Sequence, residues 1–419
     1  MTGKIALTNL WELGGQKEEP LSNAQNLARA TGFAVTRTRA AASPARPFAE
    51  IEVYDEPQAA RAAWADIYDD ALTTPYQSYD FVSVWLRTIG RSLGAEAMIV
   101  VVRDDNGETS AILPFCRRRL LGLSIAGFVG GKHANFHMGA FRSGLAVDRG
   151  AIDDLLRRIA HSQRIDAFVF VNQPHVWQGL ANPFALLGGQ ASPSHGHSTE
   201  LRGDLTSWLD ANCSKSAQKK LRKKARRLEE QGAVSSFIAR DAASTAAVLE
   251  AFFAHKVAHA MATGVADDFA ETVAKRFLEA AASGGPDGAR PVIELHGLRC
   301  GDRIVAVFGG LAGADRFCGI VTSHEHDIEI ARSSPGELLI HDVVRNLIQR
   351  GFRTFDLGVG EARYKDAFCE NADPLFDTAI TFTFLGRWAS AALLLRQRMK
   401  AWIKRRPWAW SLATRLRLR

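Results

Sequence analysis

The sequence predicts an α/β (α+β) protein of two similar lobes, each a mixed β-sheet flanked by helices, joined by a basic helix. Three observations lead there. Strand-like and helix-like periodicities alternate along the chain instead of segregating. The order strand, hairpin, strand, helix, strand occurs twice at an offset of about 186 residues, so that Gly150 corresponds to Gly336, Arg164 to Arg350 and Phe170 to Asp356. The chain's 419 residues also suffice for two or three domains at about 150 residues each.

Each element has a local cause. Residues 1 to 47 are rich in Ala, Thr, Gly and Arg and end in Pro44 and Pro47, the composition of a poorly ordered extension. The first lobe is expected over 48–205. In it Glu50–Tyr54 reads as a strand and Gln58–Leu72 as a helix, with Trp64, Ile67, Tyr68 and Ala71 at helical spacing. Met98–Arg103 and Thr109–Arg117 are strands around Asp104-Asp105-Asn106-Gly107, a hairpin turn. Asp148 is placed to cap a helix with Ile152, Leu155, Leu156 and Ile159 on one face, and Asp166–Val171 follows as a buried strand.

The second lobe is expected over 206–385 and opens with the basic linker Lys215–Arg227, which has eight basic residues in thirteen and a modest apolar stripe of Leu221, Ala225 and Leu228. Its basic face suits phosphates of RNA, lipid or a nucleotide-like donor, or plain solvent around a connecting helix. Val292–Leu298 and Ile304–Leu311 are strands around Cys300-Gly301-Asp302-Arg303, and Arg316–Thr322 is a third. Gly336–Arg350 is the strongest helix, with Leu339, Ile340, Val343, Val344, Leu347 and Ile348 on one stripe and Gly351 placed to end it. Thr354–Leu357 and Ile380–Phe384 complete the strands.

Composition removes several classes. Hydrophobic residues make up 47% and charged residues 23%, which is globular and not disordered. The five cysteines are scattered without a CxxC pair, against a disulfide scaffold or a structural zinc site and in favour of a reducing, cytoplasmic setting. No run reaches the roughly 18–20 apolar residues of a membrane span, and Met1–Leu10 lacks a signal pattern. The net charge is +7, yet residues 386–419 alone hold ten basic residues and no acid, so the rest is slightly acidic. A basic tail on a near-neutral body points to a local contact.

The chemistry concentrates between Ile330 and Glu370. Arg332-Ser333-Ser334-Pro335-Gly336 leads into the strong helix, whose start offers unpaired N–H groups and a partial positive charge to an anion such as a pyrophosphate. Ser-Pro is equally an ordinary way to begin a helix. Asp356 ends a strand ahead of Gly358 and Gly360, where it can bind a substrate amine, hold a neighbouring cation or cap a helix. Tyr364 can donate a proton to a leaving group, and Lys365 can neutralise charge that develops in a transition state.

Together the SPG loop, the long helix ending in Gly, "FDLGVGEARYK" and a short aromatic helix resemble the CelD/BcsL-type acyltransferases of the GNAT superfamily, relatives of the FemAB group. The resemblance is best over 210–385 and looser over 48–205, where Thr74-Pro75-Tyr76-Gln77-Ser78 followed by Trp85 is similar to the family's early segment. It implies two tandem GNAT-like lobes and transfer of an acyl group from acetyl-CoA or another acyl-CoA, without a metal, to an amine or hydroxyl of a small-molecule or saccharide acceptor. A setting in polysaccharide or envelope biosynthesis goes with it. Arg332, Ser333, Ser334 and Gly336 would hold the donor's phosphates, while Tyr364, Lys365 and Asp356 would serve the chemistry. One departure stands out: acetyl-CoA enzymes of this superfamily carry Q/R-x-x-G-x-G/A, whereas here Pro335 stands at the first glycine and Leu338 at the last. The FemAB relatives imply the alternative donor, aminoacyl-tRNA, with a carry-over onto Asp356 and Lys365 only. A degenerate, membrane-associated scaffold of polysaccharide synthesis is the non-enzymatic alternative.

Outside this segment, His133, Asn135 and His137 in "GGKHANFHMG" suggest a substrate-facing loop, and His255, Lys256 and His259 a solvent or interlobe helix face. From Arg387 on, Trp388, Trp402, Trp408 and Trp410 alternate with cations. The tail therefore packs on the second lobe, lies at an anionic inner-membrane surface, or meets nucleic acid (tRNA).

Overall fold

The computed structural model describes residues 46–263, 272–284, 290–360, 365–369 and 371–406, and these described residues belong to one compact unit. The extension expected over 1–47 falls almost wholly outside the described residues, as do Trp408 and Trp410.

Two mixed sheets carry the fold, and their order repeats. The first runs Glu50–Tyr54, Glu96–Arg103, Thr109–Leu120, Leu123–Phe128, Ala167–Pro174, Leu375–Thr381 and Gln190–Ala191. The second runs Val234–Ile238, Glu294–Cys300, Arg303–Ala312, Arg316–His324, Thr354–Val359, Gly196–Glu200 and Asn371–Asp373. In each, the first four strands form an antiparallel meander and the fifth lies parallel to the fourth, with Ile125 opposite Ala167 and Arg316 opposite Thr354. A helix bridges fourth to fifth in both lobes, as a parallel crossover requires. These are Arg149–Gln163 and Pro335–Gln349. Asp148 caps the former through the Ala151 N–H at 2.7 Å, and Ile152, Leu155, Leu156 and Ile159 are fully buried beneath it. Leu339, Ile340, Val343, Val344 and Leu347 play that part in the second lobe.

The sixth strands are exchanged. Gly196–Glu200, from the segment assigned by sequence to the first lobe, runs antiparallel to Thr354–Val359 in the second sheet. Leu375–Thr381, from the second-lobe segment, runs antiparallel to Ala167–Pro174 in the first.

Three local expectations need correction. The last strand is Leu375–Thr381, not Ile380–Phe384, because Thr383 accepts the Gly386 N–H at 3.1 Å and starts the helix Phe384–Arg405 there. Among the described residues that helix packs on the first sheet, where the sequence placed it on the second lobe. Gln58–Leu72 is not one helix: Pro57–Ala60, Arg61–Ile67 and Tyr68–Asp70 are successive short helical turns, and Ala71–Leu72 already pairs with Phe141 and Arg142 as a strand.

Three histidines are buried in this framework, and burial outweighs every opposing influence on them. Burial lowers the imidazoles of His137, His255 and His341 from 6.5 to about 4. Below the ordinary value the unfolded chain binds protons that the folded chain refuses, so stability falls as pH drops from about 6.5 towards about 4. Thermal melts should show a lower midpoint at about pH 4.5 than at about pH 7, and His137→Gln should flatten that slope.

Candidate active site

Strands Arg316–His324 and Thr354–Val359 are paired over three positions only: Arg316 with Thr354, Phe317 with Phe355, and Cys318 with Asp356. Beyond that rung they part. Thr354–Val359 continues along Gly196–Glu200 on its other side, while no strand among the described residues lies against the edge of residues 319–324 that faces the gap. A parallel pair that opens at its carboxyl ends leaves unpaired backbone donors and acceptors in a wedge, which is where open α/β sheets bind ligands.

The base of the wedge is stitched shut by the first lobe. Asn135 Nδ2 donates to the Gly319 carbonyl at 2.8 Å and to the Tyr76 hydroxyl at 2.7 Å, and Asn135 Oδ1 accepts the Val359 N–H at 3.2 Å. One carboxamide thus stands in for the missing rung between the two strands. Gly358 makes this possible: its φ is +80°, and a Cβ there would lie 2.7 Å from Asn135 Nδ2. Tyr76 is fully buried against Phe81 and Phe136, so the amide is held by a rigid wall.

Below the last rung sits a buried ion pair. Arg316 donates from Nη2 to Asp356 Oδ2 at 2.5 Å and to Asp373 Oδ2 at 3.1 Å, while its guanidinium lies 4.3 Å from the centre of the Trp177 ring. Asp356 is fully buried, and its other oxygen accepts the Gly358 N–H at 2.6 Å. Burial raises the Asp356 carboxyl above its ordinary range, against the opposing pull of Arg316 and that N–H. The carboxylate in turn keeps Arg316 charged. Asp356 thus meets Arg316 through Oδ2 and the Gly358 N–H through Oδ1.

At the open end of the wedge begins the helix Pro335–Gln349. Ser334 precedes it in a left-handed conformation (φ 48°, ψ 59°) without capping it by side chain, and its carbonyl accepts the Glu337 and Leu338 N–H groups. Ser333 is fully buried and its Oγ has no partner among the described residues. Arg332 turns aside to Glu329 at 2.8 Å. Histidines and the basic helix flank the loop. The His324 ring lies 3.7 Å from where a Gly336 Cβ would be, and His326 stacks on His324 with centroids 5.1 Å apart. His259 is 5.2 Å from His326, so the 242–263 helix reaches this corner too. Burial, then the charges of His326, His259 and Lys256, lowers the His324 imidazole below its ordinary value. From the basic helix Lys215–Glu229, Lys224 pairs with Glu337 and Arg227 donates to the Arg332 carbonyl at 3.2 Å.

Lys365 closes the same edge. It is buried, with Nζ donating to the Gly358 and Val359 carbonyls at 3.1 and 3.2 Å. Tyr364 lies outside the described residues. The helix start and Lys365 thus follow the carboxyl ends of two adjacent parallel strands. Sequence reasoning singled out the loop, Asp356 and Lys365 but missed Arg316, Asp373, Trp177 and His324, which no local pattern ties to them; Asn135 and Tyr76 were noticed without their function. Among the described residues no three His, Cys, Asp or Glu side chains gather to hold a metal ion; His133 and His137 are both buried, and His137 Nδ1 lies 3.0 Å from the Val171 carbonyl. Two surface concavities, of about 310 and 490 Å³, lie away from the wedge, one between helices Ala242–Thr263 and Thr272–Ala282 and one beside Leu375–Thr381.

Residues 215–366, which contain the wedge and the loop, match the family model described as acetyltransferase (GNAT) domain. No curated protein matches the chain. Among solved structures, FemX is similar over 82% of this chain and 100% of its own, with a TM-score of 0.57 at 9% identity. A conserved protein of unknown function from Bacteroides thetaiotaomicron is similar over 80% of this chain and 100% of its own, with a TM-score of 0.51 at 11% identity. At such identities the likeness concerns the fold.

The ion pair gives a direct test. Arg316→Met leaves the buried Asp356 carboxylate uncompensated and should cost about 3–5 kcal/mol of stability, whereas Arg316→Met with Asp356→Asn should recover much of that in denaturant titrations.

Proposed function

We propose that the chain is an acyltransferase that moves an acyl group from acetyl-CoA or another acyl-CoA to an amine or hydroxyl acceptor. The observation that carries this reading is the parting of strands Arg316–His324 and Thr354–Val359 with a helix start at their open end. The free edge of residues 319–324 can pair with the amides of an extended donor arm as an added strand would. The Gly336 helix start accepts the donor's phosphates, with His324 beside it. Ser333 and Ser334 belong to this seat, and Arg332 reaches it only by leaving Glu329.

In the transfer, the acceptor's lone pair attacks the acyl carbon and forms a C–N or C–O bond. The carbonyl oxygen takes up the negative charge, and Lys365 stabilises it electrostatically. Collapse breaks the C–S bond; Tyr364 returns a proton to the thiolate, and the acceptor's proton leaves to water. Asp356 acts as a positioning residue by holding Arg316 and, through Gly358, the carbonyls that grip Lys365. The acceptor enters between the lobes. A small-molecule or saccharide acceptor in polysaccharide or envelope biosynthesis is what the likeness of the SPG and FDLGVGEARYK segments to CelD/BcsL-type enzymes supports, and the scattered cysteines suit a cytoplasmic setting.

One observation favours a second donor, aminoacyl-tRNA. The helix Lys215–Glu229 exposes Lys219, Lys220, Arg222, Lys223 and Arg226 while touching the donor loop through Lys224 and Arg227. Such a row of cations suits RNA phosphates.

A saturating acyl-CoA, at about 100 times its dissociation constant, should stabilise the chain by about 2.7 kcal/mol in a thermal-shift assay. Gly336→Asp, which adds negative charge at the helix start, should weaken that binding about tenfold or more. No shift with any thioester, together with salt-sensitive binding of aminoacyl-tRNA, would favour the second donor. Lys365→Ala should lower kcat about a hundredfold or more with little change in donor affinity, measured by thiol release.

A further inference from the structure

The helix Phe384–Arg405 is held to the first sheet by one face. Gly386 and Ser390 are buried there, and Gly386 approaches so closely that a Cβ would lie 2.4 Å from the Asp166 carbonyl. The opposite face is apolar and exposed. Phe384, Trp388, Leu395, Met399 and Trp402 recur at i, i+4, i+11, i+15 and i+18, and 47–70% of each is open to solvent. At 100° per residue they fall within a strip about 60° wide along a helix about 33 Å long. Arg387 and Arg396, both exposed, lie on either side of that strip.

A second exposed apolar feature stands next to it. The hairpin between Thr109–Leu120 and Leu123–Phe128 carries Leu120 and Leu121 at its tip, 45% and 97% exposed, beside the exposed Arg118. Asp166 fastens hairpin and helix together. Its Oδ2 accepts the Ser124 N–H at 2.8 Å, and its Oδ1 accepts the Thr383 hydroxyl at 2.8 Å, while Thr383 caps Gly386. Water gains nothing by facing this much leucine and tryptophan, and exposed patches of this kind mark a partner.

Charge selects the partner. The helix Phe384–Arg405 contains six cations and no acid, so a second copy of the same face would be repelled. RNA would meet the cations but leave Leu395, Met399 and Leu121 without an apolar medium. An anionic bilayer satisfies both, with the apolar strip at the acyl boundary and the arginines among the headgroups. No helix among the described residues is long and apolar enough to cross a membrane, so the helix would lie in the interface.

We propose that the helix Phe384–Arg405 and the Leu120–Leu121 hairpin tip form a docking face for an anionic phospholipid surface. The proposal does not rest on the transfer reaction, because the face belongs to the first sheet and vesicle binding is read without turnover.

The full chain should co-sediment with vesicles of phosphatidylcholine containing about a third phosphatidylglycerol, should bind vesicles of phosphatidylcholine alone about tenfold more weakly, and should lose affinity as salt is raised. Trp388→Glu with Leu395→Glu should lower binding about tenfold or more, and Leu121→Glu should lower it to a smaller degree. These side chains are exposed, so circular dichroism and the melting midpoint should not change; Trp388→Phe, which keeps an aromatic ring, should bind nearly as wild type. The proposal is overturned if the full chain ignores anionic vesicles or if the double variant, still folded, binds them equally well. It also fails if the double variant converts a dimer to a monomer, or abolishes RNA binding, while vesicle binding stays unchanged.

Discussion

The rung at which Cys318 faces Asp356 organises the second lobe. Up to it, two parallel strands are zipped and underpinned by a fully buried aspartate whose charge is met by Arg316. A lone carboxylate at that depth would carry a desolvation cost that hydrogen bonds alone do not offset, so arginine, aspartate and the aromatic wall of Trp177 stand or fall together. Past the rung the same two strands diverge, and their free ends lead to the turn before Pro335, the carbonyls that hold Lys365, and the open edge of residues 319–324. A shallow, buried electrostatic clamp thus fixes where the sheet stops being a sheet.

The first lobe is more than a bystander to this geometry. Asn135 spans the point of divergence with a single side-chain amide, and Tyr76 backs it. The contact sets how far the wedge can open at its base, and it couples the loop around Gly130–His137 to the ends of both second-lobe strands. A molecule held between the lobes would be read by both at once. The histidines 259, 324 and 326 gather at the other end of the wedge.

Much of the architecture was legible in the sequence because it is locally encoded. The doubled pattern, the Asp148 cap, the hairpin turns and the apolar stripe of the 335–349 helix all announce themselves within a few residues. What escaped notice is non-local. Gly196–Glu200 sits in a stretch of Gly, His and Ser that carries no strand signal; it is a strand because Thr354–Val359 offers it a partner. Arg316 reads as an unremarkable charge at a strand start, and only tertiary folding sets it beside Asp356 and Asp373. Asn135 drew attention as part of a loop with histidines, but the structure gives the key position to the amide between them. In the loop before Pro335, the arginine at the expected offset is engaged with Glu329, while a histidine from the preceding strand's end occupies the corner next to Gly336.

The exchanged sixth strands also bear on how the chain comes into being. As it emerges during synthesis, the first sheet has its leading five strands by residue 174 but cannot gain the sixth until Leu375–Thr381 appears, some two hundred residues later. For all that interval the outer edge of Ala167–Pro174 is an open template for other chains, the kind of edge that invites aggregation. Gly196–Glu200, made early, must likewise wait for Thr354–Val359. The two halves therefore mature as one, and a nascent chain halted between them would hold two incomplete sheets.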